Sequence, residues 1–295
     1  MKENVARRPR FRRVLEFPKM RLTDRDKAIL LAVSRYRFLT TSHFFSFVAG
    51  SRQNIARRLQ RLYHAEFLDR PKAQLPLRYA GELSELVYSP TRKTHSHVAA
   101  EAGETDSGKE CKSVSALFLA HSLSISDALI SLERICRLRG TSFIPERDIL
   151  AALAAKGTRH LGWRVTVREG ADTETVGVVP DAAFAVERTD QSGGTRRWYF
   201  FLEVDRGTMP LHRKSLRQSS IHRKVLAYSK SRTSSVLKDK YGIPGFQVIF
   251  IARSRQRLEH IKEMCASASN GRGSSLFLFS TQDELRNGES PIAHQ

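Results

Sequence analysis

Apolar and polar residues recur with a helical period in the first third of this chain and with a mixture of strand and helical periods beyond it. Ile29, Leu30, Val33 and Tyr36 follow Thr23, Asp24 and Asp26, which predicts a helix with a hydroxyl N-cap and acids in its first turn. A short apolar segment, Ser42 to Val48, is closed by Gly50. A third helix is predicted over 51–66, with Ile55, Leu59, Leu62 and Tyr63 on its apolar stripe. Phe67 to Arg70 and Glu85 to Ser89 then read as short strands around a connection containing Pro and Gly. From Thr91 to Ser113 the chain turns to Thr, Ser, His, Gly and Glu with few large apolar side chains, the composition of a linker.

A long helix is expected over 114–139, with Ile125, Ala128, Leu129, Leu132 and Ile135 on one stripe and Gly140 at its end. His121 shares that stripe and reads as a satisfied core histidine; Asp127 lies off it. Leu161 to Val167 is a predicted strand. Two alternating runs, Asp181 to Glu187 and Arg196 to Val204, then flank TDQSGGT, whose Ser, Asp and Gly residues suit a hairpin turn. Ser192 lies 11 residues after Asp181 and 11 before Glu203, so in an antiparallel pair Asp181 should face Glu203. Alternation puts Glu203 and Asp205 on one face and Trp198, Phe200, Leu202 and Val204 on the other. A helix over about 214–230, with Ile221, Val225 and Tyr228 on one seam, leads to FQVIFIA, a strand covered on both faces. A helix from Arg255 to Ala266 and a strand from Ser275 to Phe279 complete the pattern, without internal repeat.

Carboxylates at the end of an apolar strand are costly to bury unless a cation compensates them. Oxygen ligands alone suit Mg²⁺ or Mn²⁺ better than zinc, and Asp181 and Glu203 are the expected metal ligands. The competing reading is a solvated strand end salt-bridged to Arg206 or Lys224. Lys224 lies beside the apolar seam of its helix, where an ammonium would neutralise the carboxylates or a phosphate. Glu146, just past a proline, and Asp205 would complete the ligand set or orient water. Tyr228 is the best-placed tyrosine for a covalent step, although core packing is its simpler role.

Charge sharpens the choice of partner. Fifty Lys and Arg against 30 Asp and Glu give the 295 residues a net charge of +20, which points to nucleic acid first and an acidic membrane second. No unbroken run of about 18 apolar residues is present to span a bilayer, and the N-terminus shows no secretory pattern, so no membrane partner is expected. Arg7, Arg8, Arg10, Arg12 and Arg13 look like a disordered, flexible arm, a solvated tail by default with phosphate binding as the alternative. Three cysteines far apart fit reduced thiols in a cytoplasm, and His95 and His97 with Cys111 match no standard metal spacing.

The helix over 51–66 turns Arg52, Gln53, Asn54, Arg57, Arg58 and Arg61 away from its apolar stripe, as well as Gln60 and His64. Side chains of this kind make bidentate contacts to base edges, and three short helices followed by two strands have the layout of a winged helix-turn-helix on double-stranded DNA. A merely solvated basic face is the alternative. No glycine-rich nucleotide loop or nucleophile elbow supports a small-molecule enzyme.

From Val114 the predicted order, helix, three strands, helix, strand, resembles the PD-(D/E)xK or restriction-endonuclease-like superfamily, with Pro180-Asp181, Glu203-Val204-Asp205 and Lys224 as the motif. The superfamily's lysine follows its glutamate by two residues; Asp205 stands there, and Lys224 would supply the ammonium from the next helix. Over about residues 21 to 251 the chain also resembles the replication-relaxation family of plasmid and mobile-element proteins. The residues that carry this are LTDRDKAILLAVSRYRFLT, RRLQRLYHAEFLDR, HSLSISDALISLE, PDAAF, FFLEVDRGT and the KVLAY segment. The resemblances imply a mixed α/β protein. It would comprise a basic arm (1–20), a winged helix-turn-helix (21–90), a linker (91–113), an αβββαβ nuclease-like domain (114–282) and a tail (283–295). They also imply a bacterial, cytoplasmic protein acting on plasmid DNA with Mg²⁺ or Mn²⁺ by nicking or cleavage, with a homodimer left open. The rival is a non-catalytic initiator, accessory factor or repressor that only grips DNA.

Overall fold

The computed structural model describes residues 10–103, 114–152, 160–190, 192–268 and 275–292. It is mixed α/β, and the chain divides into two compact units, Met1–Ile130 and Ser131–Gln295, at a point inside a long helix rather than in the stretch expected as a linker.

In the first unit, helix α1 (Asp24–Tyr36) begins as its sequence predicts: Thr23 Oγ1 accepts from Asp26 N, and the Asp26 carboxylate accepts in return from Thr23 N at 2.7 Å. Strand β1 (Leu39–Thr40) and a 3₁₀ turn (His43–Ser46) lead to helix α2 (Arg52–His64), whose N-cap is Ser51. Strand β2 (Leu68–Asp69), helix α3 (Gln74–Tyr79), strand β3 (Val87–Pro90) and helix α4 (Arg92–Ala102) follow. The strands form an antiparallel sheet with β3 in the middle, Leu39 opposite Tyr88 and Leu68 opposite Pro90. Ile29, Val33, Phe44, Ile55, Leu59 and Leu62 are completely buried at its centre, which is why the helical stripes were readable.

Two expectations change here. Residues 92–102, read as linker, are helical: Thr91 Oγ1 accepts from Thr94 N, Val98 and Ala99 are buried, and Gly103 ends the helix at φ 68°. Small buried residues and end caps leave little hydrophobic periodicity to see. The basic arm is docked from Arg10 onward. Arg13 donates to Tyr63 O, Leu68 O and Asp69 Oδ1, each at 3.0 Å, and lies over the Tyr63 ring. Arg7 and Arg8 lie outside the described residues, as do residues 104–113 with Cys111.

Helix α5 (Ala116–Leu138) has the length and composition to cross a membrane, with a mean hydropathy of 1.3, a property that counting unbroken apolar runs does not reveal. Within the first unit it packs as a protein helix: Leu119, Ala128 and Ile130 are buried, Ser126 Oγ donates to Tyr36 O, and Asp127 accepts from His43 Nε2 at 2.7 Å. His121 is half-buried.

The second unit continues with strand β4 (Ser142–Pro145), helix α6 (Glu146–Ala152) and strands β5 (Trp163–Glu169), β6 (Asp172–Val178), β7 (Ala182–Thr189) and β8 (Thr195–Asp205). After them come helices α7 (Ile221–Thr233) and α8 (Val236–Tyr241), strand β9 (Phe246–Ala252), helix α9 (Arg255–Ala268), strand β10 (Phe277–Thr281) and helix α10 (Gln282–Arg286). Five strands make one sheet in the order β10-β9-β8-β7-β4. Its β4, β7 and β8 are antiparallel neighbours, whereas β8, β9 and β10 run parallel. Strands β5 and β6 form a separate two-stranded sheet. Trp163, Val165 and Val167 of β5 pack with Phe201, Val225, Tyr228, Phe246 and Phe250 in a single core.

The sequence pattern named three strands between the long helix and α7, and the described residues of this unit form five. β4 is only four residues long, and β6 exposes Asp172, Thr173 and Thr175, so neither shows a strong apolar alternation. Helix α7 starts at Ile221 rather than near 214. Ser220 is extended (φ −152°) and caps it, while Ile221 N and His222 N donate to Pro210 O and Leu211 O. The expected tail (283–295) begins inside helix α10, which a capping box between Thr281 and Glu284 opens.

Candidate functional site

Tight hairpin geometry brings the acidic residues together. Asp190 Oδ1 accepts from Ser192 N and Gly194 N at 3.0 and 2.8 Å, and Gly193 takes φ 84°, so the turn closes with a fixed register. Ala182 then lies opposite Leu202, which aligns Asp181 with Glu203 as equal spacing about Ser192 predicts. Asp181 N donates to Leu202 O at 3.1 Å, and its carboxylate accepts from Val204 N at 2.8 Å.

Helix α7 covers these strand ends with one polar edge. Lys224 Nζ donates to Glu203 Oε2, and one turn later Tyr228 Oη donates to Glu203 Oε1 at 2.5 Å. Glu203 is 3% exposed and Tyr228 fully buried. Burial pushes the Glu203 carboxyl above its ordinary value; Asp181 adds to the rise and Lys224 opposes it. Burial works against the Lys224 ammonium, but Glu203 and Asp181 outweigh it and hold the lysine above its usual value. Burial and the neighbouring Glu203 raise the Tyr228 phenol well above its ordinary range. A phenol placed in this way keeps its proton and positions Glu203, and it is closed to a phosphodiester, so the geometry speaks against a covalent role.

Asp205 is held separately. Arg257 Nε and Nη2 reach its two oxygens at 2.6 and 3.4 Å, and the guanidinium also contacts Met209 O. The sequence reading did not include Arg257. The parallel register of β8 and β9 places Ala252 beside Asp205, so the first turn of α9, which follows β9, arrives next to that carboxylate. Lys224 also feels the charge of Asp205. Glu146 is apart from this group: Leu161 N donates to it at 2.5 Å, its other neighbours are Ala183 N and His160, and burial raises its carboxyl. Asp181, Glu203 and Asp205 thus gather near Lys224 and Arg257, and their carboxylates form an all-oxygen donor set of the type that suits Mg²⁺ or Mn²⁺.

The first unit carries the second candidate surface. Along α2, Arg52, Gln53, Asn54, Arg57 and Arg61 are exposed while Ile55, Leu59 and Leu62 face the core. Arg52 pairs with Glu85. An open cavity of about 480 Å³ borders this face, and its lining includes Arg10, Arg52, Arg57, Arg70 and Arg78. Arg58 differs from its neighbours. Both its Nε and Nη2 bind the carboxylate of Asp26, which is 0% exposed, so this guanidinium is a structural partner of α1 rather than a free reader of bases. Burial would raise the Asp26 carboxyl, but Arg58 and the Thr23 bonds outweigh it and hold it below its ordinary value. His95 contacts Ser34 Oγ at 3.3 Å and His97 lies 3.9 Å from Glu101, and neither belongs to a metal-ligating group among the described residues.

Comparison with known proteins gives one match. The sequence model of a family described as replication-relaxation covers residues 30–245, which takes in α2, the hairpin, Glu203 and the whole of α7. No curated protein and no solved structure matches the chain.

Proposed function

The chain belongs to the replication-relaxation family, and on that premise we propose that it is a DNA-binding protein of plasmid or mobile-element replication whose second unit is a Mg²⁺- or Mn²⁺-dependent nuclease. Residues 21–90 act as a winged helix-turn-helix on double-stranded DNA, with β2 and β3 as the wing and Arg52, Gln53, Asn54, Arg57 and Arg61 towards the groove. The second unit is read as a PD-(D/E)xK fold of the restriction-endonuclease type. The observation that carries this reading is the meeting of Lys224 with Glu203 directly opposite Asp181, three residues from two strands and a helix. Asp205, which occupies the superfamily's usual lysine position, is neutralised by Arg257, and the ammonium comes from α7 instead.

Asp181 and Glu203 would hold the ion. A bound Mg²⁺ supplies polarisation of the scissile phosphate and a lower pKa for an attacking water. Lys224 Nζ, hydrogen-bonded to Glu203, stabilises the negative charge that grows on the phosphate oxygens as water adds and the sugar oxygen leaves. Tyr228 fixes the other oxygen of Glu203, and Arg257 orients the Asp205 carboxylate. Glu146 ties the start of α6 to Leu161 N and so braces the sheet edge.

A non-catalytic initiator or repressor is the second reading. It is favoured by the fact that the carboxylate oxygens of Glu203 and Asp205 already have protein donors. Supercoiled plasmid incubated with the protein and Mg²⁺ or Mn²⁺ separates the two. Open-circular or linear DNA should form with wild type and disappear with Asp181→Ala and Glu203→Ala. Binding with no strand break, or breakage unchanged in both variants, eliminates the enzyme. For the first unit, Arg57→Ala should weaken binding about equally on all sequences and lower the salt slope by about 1, the signature of one lost phosphate contact. An unchanged slope with unchanged affinity removes Arg57 from the interface.

A further inference from the structure

We propose that Glu169, His212 and His222 form a second metal site, one that takes a transition metal ion of the Zn²⁺ class. Each residue offers one donor atom, and these atoms lie within 4.8 Å of one another. His222 Nε2 is already 2.7 Å from Glu169 Oε1, and the His212 and His222 rings are 4.9 Å apart between centroids. The three side chains come from different segments: the end of β5, the loop between β8 and α7, and the first turn of α7.

The backbone holds them together independently of those contacts. Ile221 N donates to Pro210 O at 3.1 Å and His222 N to Leu211 O at 2.9 Å, which fixes His212 beside the start of α7. Arg217 Nε, 2.7 Å from Glu174 Oε1, ties the same loop to β6. A hydrogen bond between His222 and Glu169 would account for two of the residues but gives no reason for His212 to stand there. Two imidazoles and a carboxylate are a recurrent zinc set that leaves a fourth position for water. Tetrahedral bonds of about 2.0–2.2 Å set donor atoms about 3.4 Å apart, so the 2.7 Å contact of His222 with Glu169 would open slightly while the wider separations, all within 4.8 Å, close, and Glu169 and His212 are exposed. Nitrogen donors select against Mg²⁺, so the site differs in chemistry from the oxygen-only group at Glu203. It differs in place as well: His222 precedes Lys224 by two residues, a rotation of about 200° around α7. The consequence of binding is local. Zinc here would clamp β5 to the loop that runs from Asp205 to the helix carrying Lys224.

The test is zinc uptake by the full chain after chelator stripping, measured by equilibrium dialysis and elemental analysis. Wild type should take one Zn²⁺ per chain, with affinity reduced about tenfold or more in His212→Ala and in His222→Ala and retained in Glu203→Ala. Co²⁺ should give the visible absorption of a tetrahedral ion in wild type and lose it in His212→Ala. Because His212 is exposed, the urea midpoint of His212→Ala without metal should equal that of wild type, which separates lost ligation from lost folding. Failure to bind one equivalent, or uptake unchanged in both histidine variants, overturns the proposal.

Discussion

Lys224→Ala is expected to abolish plasmid nicking and, in the same protein, to lower folding stability by about 3 kcal/mol, because it strands Glu203 as a buried carboxylate without its ammonium. Breaking a buried pair on one side costs about 3–5 kcal/mol, and the lower end applies because the Lys224 side chain is 30% exposed. The loss of nicking should reach about 100-fold or more, as for removal of a group that stabilises transition-state charge. These two effects have a common origin, so a second variant must separate them. The double substitution Glu203→Gln with Lys224→Met removes both charges while keeping an acceptor for Tyr228 Oη, and an uncharged pair of similar volume should restore much of the stability. Nicking should stay absent. Urea unfolding and the plasmid assay on both variants decide the matter: recovery of cleavage along with stability means that the pair is scaffolding and the chemistry lies elsewhere.

Arg58→Ala should be comparably damaging to the first unit, although it lies on the helix face that the sequence assigns to DNA. Asp26 is 0% exposed and binds Arg58 through two nitrogens, so truncation leaves an uncompensated buried carboxylate at a cost of about 3–5 kcal/mol. The pH dependence has a definite direction. A carboxyl held below its ordinary value contributes stability that is complete above the unfolded pKa, about 3.9, and disappears as pH falls through the lower folded value. In Arg58→Ala the Arg58 contribution no longer offsets burial and the carboxyl rises, so the acid limb that Asp26 contributes should be lost and the stability deficit against wild type should shrink as pH falls. Urea midpoints measured from neutral pH down to about 3 test this; profiles that superimpose would mean the pair contributes nothing. DNA binding by folded Arg58→Ala should be retained, in contrast with Arg57→Ala.

The comparison between those two arginines shows what the sequence carries. Both fall on the polar side of a stripe set by Ile55, Leu59 and Leu62, and periodicity treats them alike. Only the packing of α1 against α2 distinguishes them, because Asp26 is 32 residues away in the chain. Local signals were legible: the Thr23 cap, the helix at α2, and the hairpin whose turn centre fixed Asp181 against Glu203. Each depends on residues close in sequence or symmetric about a turn. The partnership of Glu203 with Lys224 spans 21 residues and could be guessed from an ammonium beside an apolar seam. That of Asp205 with Arg257 spans 52 and could not, since it follows from the parallel pairing of β8 with β9. Strand β4, four residues long, and helix α4, with small residues on its buried side, carry too little apolar patterning to announce themselves. Glu169, His212 and His222 are likewise collected by the loop before α7 and by the β5 hairpin, with no motif spacing to join them.

Crystals of the full chain soaked in Mn²⁺ and examined by anomalous diffraction address the carboxylate centre most directly. The proposed nuclease predicts a manganese ion bound by Asp181 and Glu203 beside Lys224, and no ion there in Glu203→Ala. Wild-type density without manganese between those carboxylates, or a peak that persists in Glu203→Ala, would contradict it and leave a protein that only grips DNA.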